Sequence, residues 1–406
     1  MQLPLAVKPA PTLPPLEPNR QQPFGLYIHV PFCASRCGYC DFNTYTPGEL
    51  GSSASPQSYL AALEQELEHA AGLIGRPAQT VFIGGGTPSL LGAAGLGRIL
   101  DAVRATVGLA PGAEVTTESN PESTSEEFFA GLLEGGFTRV SLGMQSVSER
   151  VLAVLDRRHT PGRALAAARE ALAAGFEHVN LDVIYGTPGE KVDDVRATVE
   201  AALATGVDHI SAYSLIVEPG TAMFRKVSRG QLPAPDEDVM AERYELIDAA
   251  LVAAGMHWYE VSNWARPGGQ CQHNMLYWRA ADWWGAGPGA HSHINGVRFF
   301  NVKHPARYAA LLGAGDKSVV PVQDFEVLGK SDRHTEEVML GLRLREGLSR
   351  QALSAAGNKE VNRYIAAGLM EATGPGGGDR VAVTGRGRLL ADGIIADILV
   401  AEEREG

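Results

Sequence analysis

Residues 25–43 read "GLYIHVPFCASRCGYCDFN". The apolar run "LYIHV" (26–30) stops just short of three cysteines, Cys33, Cys37 and Cys40. Its length and β-rich character predict a buried strand whose carboxyl end opens into a cysteine loop. The pattern of strand followed by unusual loop recurs downstream. Strands are predicted at "TVFIG" (80–84), "EVTTE" (114–118), "RVSLG" (139–143), "HVNLDVI" (178–184) and "HISAYSL" (209–215). The loops that follow carry "GGGTPS" (84–89), "ESNPE" (118–122), "GMQS" (143–146), "IYGTPGE" (184–190) and "IVEPGT" (216–221). Helical stretches such as 58–74 and 164–175 lie between strands, the second closed by glycine, a common helix stop. Six strands alternating with helices predict an α/β fold with a parallel sheet, either closed towards a barrel or left open. Parallel α/β folds gather their active sites at the carboxyl ends of strands, so the six loops argue for one shared site.

The chain has 406 residues, 45% hydrophobic and 20% charged, with a formal net charge of -12. That is a soluble globular composition, and the acidic balance argues against a general nucleic-acid or anionic-membrane binder. No apolar run reaches the length of a membrane-spanning helix. The proline-rich start, residues 1–23, lacks the pattern of a signal peptide and predicts an extended or disordered leader. Four cysteines in a chain this long make no disulfide framework, so a cytoplasmic protein with reduced thiols is expected.

The core is expected over 24–235. From 236 to 330 the texture changes, and all five tryptophans fall between Trp258 and Trp284. The last part, 331–406, predicts a smaller α+β domain of short helices with a hairpin or wing. A nucleic-acid-binding winged helix is disfavoured there by the lack of a basic stripe.

Three thiolates at C-x3-C-x2-C spacing suit an inorganic centre. A structural zinc ion takes four protein ligands, which His29 or a distant residue would have to complete. A cubane cluster held by three cysteines keeps one iron open for a bound cofactor. Buried structural thiols are the third reading.

The cysteine motif, with Tyr39 just before its third cysteine, resembles the radical S-adenosylmethionine superfamily, and "GGGTPS" resembles its glycine stretch. "YIHVPFC", "DFN", "FIGGGTPS", "ESNPE", "GMQS" and "NLDVIYGTPG", in that order, are similar to one subgroup. It holds the oxygen-independent coproporphyrinogen oxidases and their heme-chaperone relatives. The resemblance runs from about residue 25 to the C-terminus and implies a partial (β/α)6 barrel. It implies a [4Fe-4S] cluster on Cys33, Cys37 and Cys40, with S-adenosylmethionine contacted by Tyr27, Gly85 and Glu118. A second set of cofactor contacts is implied at Gly86, Thr87, Gln145, Arg157, Asp182 and Ile216. Read without the family, Arg157 in "DRRH" fits a solvated surface run, and Gln145 or Asp182 fits a loop cap.

Position 42 separates the two relatives. The oxidases carry a fourth cysteine there, where this chain has Phe42, and they have a longer N-terminal segment. "HNMLYW" (273–278) matches the H-N-x-x-Y-W motif of the chaperone branch, linked to heme. Imidazole ligates heme iron, and rings such as Tyr277 and Trp278 stack on a macrocycle, so His273 is the candidate heme contact. Cys271, His291 and His293 are weaker candidates, and a tightly packed structural loop is the plain reading. The resemblance therefore implies a heme chaperone that hands heme to acceptor hemoproteins such as respiratory enzymes at the membrane. In that branch the cluster governs dimerisation and heme transfer. The alternative is an oxygen-independent coproporphyrinogen III oxidase. A radical methyltransferase or methylthiotransferase fits less well, because the latter needs further cysteines.

Overall fold

The computed structural model describes residues 11–51, 54–157, 160–313, 320–374 and 378–405. The leader expected over 1–23 thus lies partly outside the described residues. From 11 to 23 it forms no helix or strand, and Leu13 and Leu16 pack against the core.

The six predicted strands are all present: β1 (Phe24–Val30), β2 (Ala78–Gly85), β3 (Leu109–Ser119), β4 (Arg139–Gln145), β5 (His178–Tyr185) and β6 (His209–Ser214). They pair in chain order and all in parallel. In β1 every residue but Tyr27 is buried, as expected of a strand covered on both faces. The helix Pro56–Ile74 shows why the crossovers form where they do. Ser55 accepts the Ser58 N–H at 3.1 Å, Pro56 occupies the first turn, and Gly75 ends the helix at φ +61°. Its face of Tyr59, Leu63, Leu67, Ala70 and Ile74 joins the core.

The sheet does not close. Beyond β6 it continues antiparallel through β8 (Asn263–Ala265) to β7 (His257–Glu260). Beyond β1 it continues through a parallel β9 (Asp282–Ala286), then the antiparallel β10 (His291–Ile294), β11 (Val297–Asn301) and β12 (Val322–Val327). The Trp-rich segment therefore supplies strands on both flanks of the barrel, with Trp264 and Trp284 fully buried. Glu66, buried in the helix Pro56–Ile74, holds this extension in place. It accepts hydrogen bonds from the Gly287 N–H at 2.8 Å, Asn301 Nδ2 at 2.7 Å and the Tyr308 hydroxyl.

After β12 comes the helix Lys330–Gly341. A small antiparallel sheet follows, formed by β13 (Leu348–Ser349), β14 (Met370–Thr373) and β15 (Arg380–Val383) in the order β13-β15-β14. The expected wing is the β14–β15 hairpin. Helices Ala355–Ala366 and Ala391–Glu403 complete this part. Arg388 fastens it to the core: its guanidinium lies 4.3 Å over the Trp258 ring and donates to Asp248 at 2.8 Å.

Candidate functional site

The cysteine loop is docked on three strand ends at once. Gly38 donates its N–H to the Leu155 carbonyl after β4, and its own carbonyl accepts the Met223 N–H after β6. Tyr39 packs into an apolar cluster of Val151, Leu155, Ile184, Leu215 and Met223. On the β2 side, Gly86 and Thr87 donate N–H bonds to the carbonyls of Val30 and Phe32 at 2.8 and 2.7 Å. A Cβ on Gly86 would lie 2.4 Å from the Phe32 oxygen, and Gly85 adopts φ +110°. The glycine stretch is thus needed to bring β2 against the cysteine loop, whatever else lies along it.

The donor set fits an iron–sulfur centre. Cys33, Cys37 and Cys40 are free thiols on one loop, and burial pushes Cys33 and Cys40 up. Arg157 Nη1 stands 3.2 Å from Cys37 Sγ, and Thr87 Oγ1 stands 3.7 Å from Cys33 Sγ, a polar shell suited to thiolates. Single-ion zinc binding completed by His29 has no such support. His29 Nε2 hydrogen-bonds the Asn43 carbonyl at 2.9 Å and therefore carries the proton, so Nδ1 accepts from the Tyr27 hydroxyl at 3.0 Å. Among the described residues no three His, Cys, Asp or Glu side chains converge on one metal ion.

Two cavities share the walls Tyr27, Glu118 and Tyr277. The larger, about 920 Å³, opens between the cysteine loop, β9–β10 and the helix Lys330–Gly341. Gly85 also lines it. The smaller, about 140 Å³, lies inside the barrel, where Asp182 and His273 face it. Glu118 is half-buried between the two cavities and accepts one hydrogen bond here, from the Gly85 N–H at 3.0 Å. Burial, then the nearby Asp182, pushes its carboxyl up to about 8. Burial also raises Asp182, which accepts from Ser141 Oγ at 3.0 Å and Asn180 Nδ2 at 2.8 Å. Burial and mutual repulsion favour the neutral forms of both acids, and a cation between them would lower both again. Gln145 is buried at the end of β4 with φ +64°, a backbone state costly for a non-glycine residue. Ile216 stands 64% exposed on the segment after β6.

The "HNMLYW" motif forms the helix Gln272–Trp278. Glu114 on β3 accepts the N–H groups of Gln272 and His273 at 3.1 and 3.0 Å, and pairs with the buried Arg139 at 3.1 Å. A carboxylate against the amino end of a helix is favourable, and this one seats the helix inside the open barrel. His273 is buried there, stacked on Phe82, with both ring nitrogens engaged: Nδ1 to Thr80 Oγ1 at 2.7 Å, Nε2 to the Tyr277 hydroxyl at 2.8 Å. Burial lowers its pKa to about 3, so the ring is neutral. His273 does not line the larger cavity; Tyr277, which it holds, does. Cys271 is buried beside Glu114 in the middle of β3, Sγ to Oε1 3.6 Å.

Three further residues organise the site without having been expected to. Asn43 Nδ2 donates to the carbonyls of Pro288 and Lys303, tying the cysteine loop to the Trp-rich segment. Asn180 and Tyr259 grip His209 at 2.6 and 2.8 Å on the barrel floor. "DFN" is the signal for the first; nothing in the sequence marks the other two.

The radical SAM superfamily description matches residues 27–202, and the HemN C-terminal domain matches 328–390. The chain is 58% identical over 388 residues to the heme chaperone HemW of Mycobacterium tuberculosis, covering 95% of this chain and 97% of that protein. The chain belongs to the HemW family. Heme chaperone HemW of Bacillus subtilis is 32% identical, over 92% of this chain and 98% of that one. Among solved structures, coproporphyrinogen III oxidase (HemN) of Escherichia coli shares the fold at a TM-score of 0.78 and 24% identity. That match covers 93% of this chain and 90% of the other. The α/β partial barrel with its smaller C-terminal domain is thus the radical SAM fold. No helix among the described residues is long and apolar enough to cross a membrane.

Proposed function

We propose that this protein binds heme and transfers it to acceptor hemoproteins such as respiratory heme enzymes, while carrying a [4Fe-4S] cluster and S-adenosylmethionine. The observation that carries the reading is the near full-length identity to heme chaperones, joined to a 920 Å³ aromatic-walled cavity beside the cysteine loop. That volume is in the range of small-molecule sites.

Cys33, Cys37 and Cys40 would hold the cluster, with Arg157 beside Cys37 offsetting thiolate charge. When bound, the cluster supplies an open iron able to chelate the amino and carboxylate groups of S-adenosylmethionine. Tyr27, Gly85 and Glu118 would contact that cofactor. A cationic ammonium near Glu118 would draw the proton off its raised carboxyl and replace a buried neutral acid with an ion pair. Gly86, Thr87, Gln145, Arg157, Asp182 and Ile216 are proposed as the remaining cofactor contacts. His273 serves the heme site as a positioning residue, by fixing the hydroxyl of Tyr277 on the wall of the larger cavity.

Against the oxidase reading, Phe42 stands where the oxidases carry a fourth cysteine, and its ring lines the larger cavity at 59% exposure. The test is an anaerobic hemin titration of the reconstituted protein followed by Soret absorbance, with coproporphyrinogen turnover in parallel. Saturation at about one heme per chain without turnover is expected. Turnover without saturable heme binding would replace the chaperone by the oxidase.

A further inference from the structure

Five histidines line the two cavities, and four of them have no nitrogen to spare, His209 being committed to Asn180 and Tyr259. His29 is committed to Asn43 and Tyr27, and His273 to Thr80 and Tyr277. His293 Nδ1 donates to the Ala281 carbonyl at 3.1 Å, and its Nε2 accepts the Gly296 N–H at 3.0 Å. His291 differs. It is exposed on the wall of the larger cavity, and among the described residues no hydrogen bond reaches either ring nitrogen.

Its backbone is nevertheless fixed. The His291 carbonyl accepts the Trp283 indole N–H at 3.0 Å, and β10 pairs His291 with Phe300. Gly285 makes room for this, because a Cβ there would lie 2.1 Å from the His291 oxygen. The imidazole stacks nearly parallel on the Phe300 ring, centroids 5.1 Å apart and planes at 18°. Partial burial and the cations Lys303 and Arg298 hold its pKa down, so a lone pair is free at neutral pH.

The surroundings match a flat apolar ligand with anionic ends. Phe42, Trp283, Met339 and Leu340 supply the apolar part of the cavity wall, and Arg36 and Lys303 line it too. A macrocycle would bury its faces on the first group and set its carboxylates against Lys303, with Arg36 shared between the ligand, Glu49 and the Thr44 carbonyl.

We infer that His291 is the protein ligand to heme iron, and that heme occupies the cavity between the cysteine loop, β9–β10 and the helix Lys330–Gly341. The inference rests on the heme-binding reading above and departs from the sequence expectation at His273. A neutral, unengaged imidazole on a rigid strand is a ready axial ligand. His273 would first have to give up a hydrogen bond inside the barrel.

The test uses the full-length, anaerobically reconstituted protein and hemin, comparing wild type with His291→Ala, His291→Gln and His273→Ala. Affinity is read by Soret titration, and the iron ligand by the position of the Soret band and by electron paramagnetic resonance. Both His291 variants should lose the imidazole-ligated spectrum and bind hemin on the order of tenfold more weakly. Free imidazole should restore the spectrum in His291→Ala, whereas His273→Ala, which releases Tyr277 on the cavity wall, should bind hemin more weakly while the heme it does bind keeps the imidazole-ligated spectrum. Because the His291 ring makes one stacking contact, its variants should melt with the wild type, which separates ligand loss from misfolding. Wild-type binding with an unchanged spectrum in both His291 variants overturns the inference and leaves the chaperone reading standing. Absence of saturable binding by the wild type overturns both.

Discussion

Glu118 carries a carboxyl that its surroundings push well above the usual range, and replacing it with glutamine isolates that shift. Its carboxyl rises from 4.5 to about 8, first through burial and then through Asp182, against a small opposing contribution from the Gly85 N–H. A folded-state value above the unfolded one gives stability that is complete below the unfolded value and is lost as pH rises through the folded one. For these values the free protein loses about 4 kcal/mol between about pH 5 and 9, more than half of it by pH 7. Glutamine has the shape of the protonated acid, keeps an acceptor for Gly85, and does not ionise. The variant should therefore gain on the wild type by under about 1 kcal/mol at pH 5, about 3 at pH 7 and about 5 at pH 9. Denaturant unfolding of cofactor-free protein at those three pH values measures the difference. Glu66 and Glu190, both raised by burial to about 7, steepen the slope of each protein and cancel in the comparison. A difference that stays flat with pH would refute the reasoning, since it would mean that Glu118 is already ionised and satisfied in the free chain. The expected cost is functional: the variant should bind S-adenosylmethionine more weakly, a stability–function exchange common at ligand sites.

Cys37→Ser should leave anaerobically reconstituted protein colourless; iron retained at about four per chain would contradict the cluster assignment. Gly86→Ala should prevent cluster assembly by driving β2 off the Phe32 carbonyl, whereas Gly97→Ala, with open space around it, should assemble normally in the same iron assay. Glu114→Ala should destabilise the protein by about 3–5 kcal/mol in denaturant unfolding, because it strands the buried Arg139 and uncaps the helix Gln272–Trp278.

The barrel was legible because most of its strands are short apolar runs closed by turn residues, with β-branched threonines marking the polar β3, and because the chemistry collects where those runs end. The cluster loop was legible for the same reason: in a chain with four cysteines, three thiols crowded after one strand point to an inorganic centre. The Trp-rich segment was not. Strands β9 to β11 are four or five residues long, and their registry depends on Glu66, which lies more than 200 residues away in sequence and reads as an ordinary helix-surface glutamate. The motif histidine shows the limit of pattern most plainly. "HNMLYW" marks a helix plugging the barrel, and only the partners Thr80, Glu114 and Tyr277 reveal that His273 is held inside it. His291, in the unremarkable run "GAHSH", is distinguished by what fails to touch it, and no local sequence carries that information.

The most direct test of the account is transfer itself. Cluster-loaded protein is charged with one equivalent of heme, freed of unbound heme, and mixed anaerobically with membranes holding a heme-depleted respiratory enzyme. The account predicts that the Soret signal leaves the protein and that enzyme activity returns faster than with free hemin, an advantage that the Cys37→Ser protein lacks. Heme that stays on the protein, or activity that returns no faster than with free hemin, would contradict it.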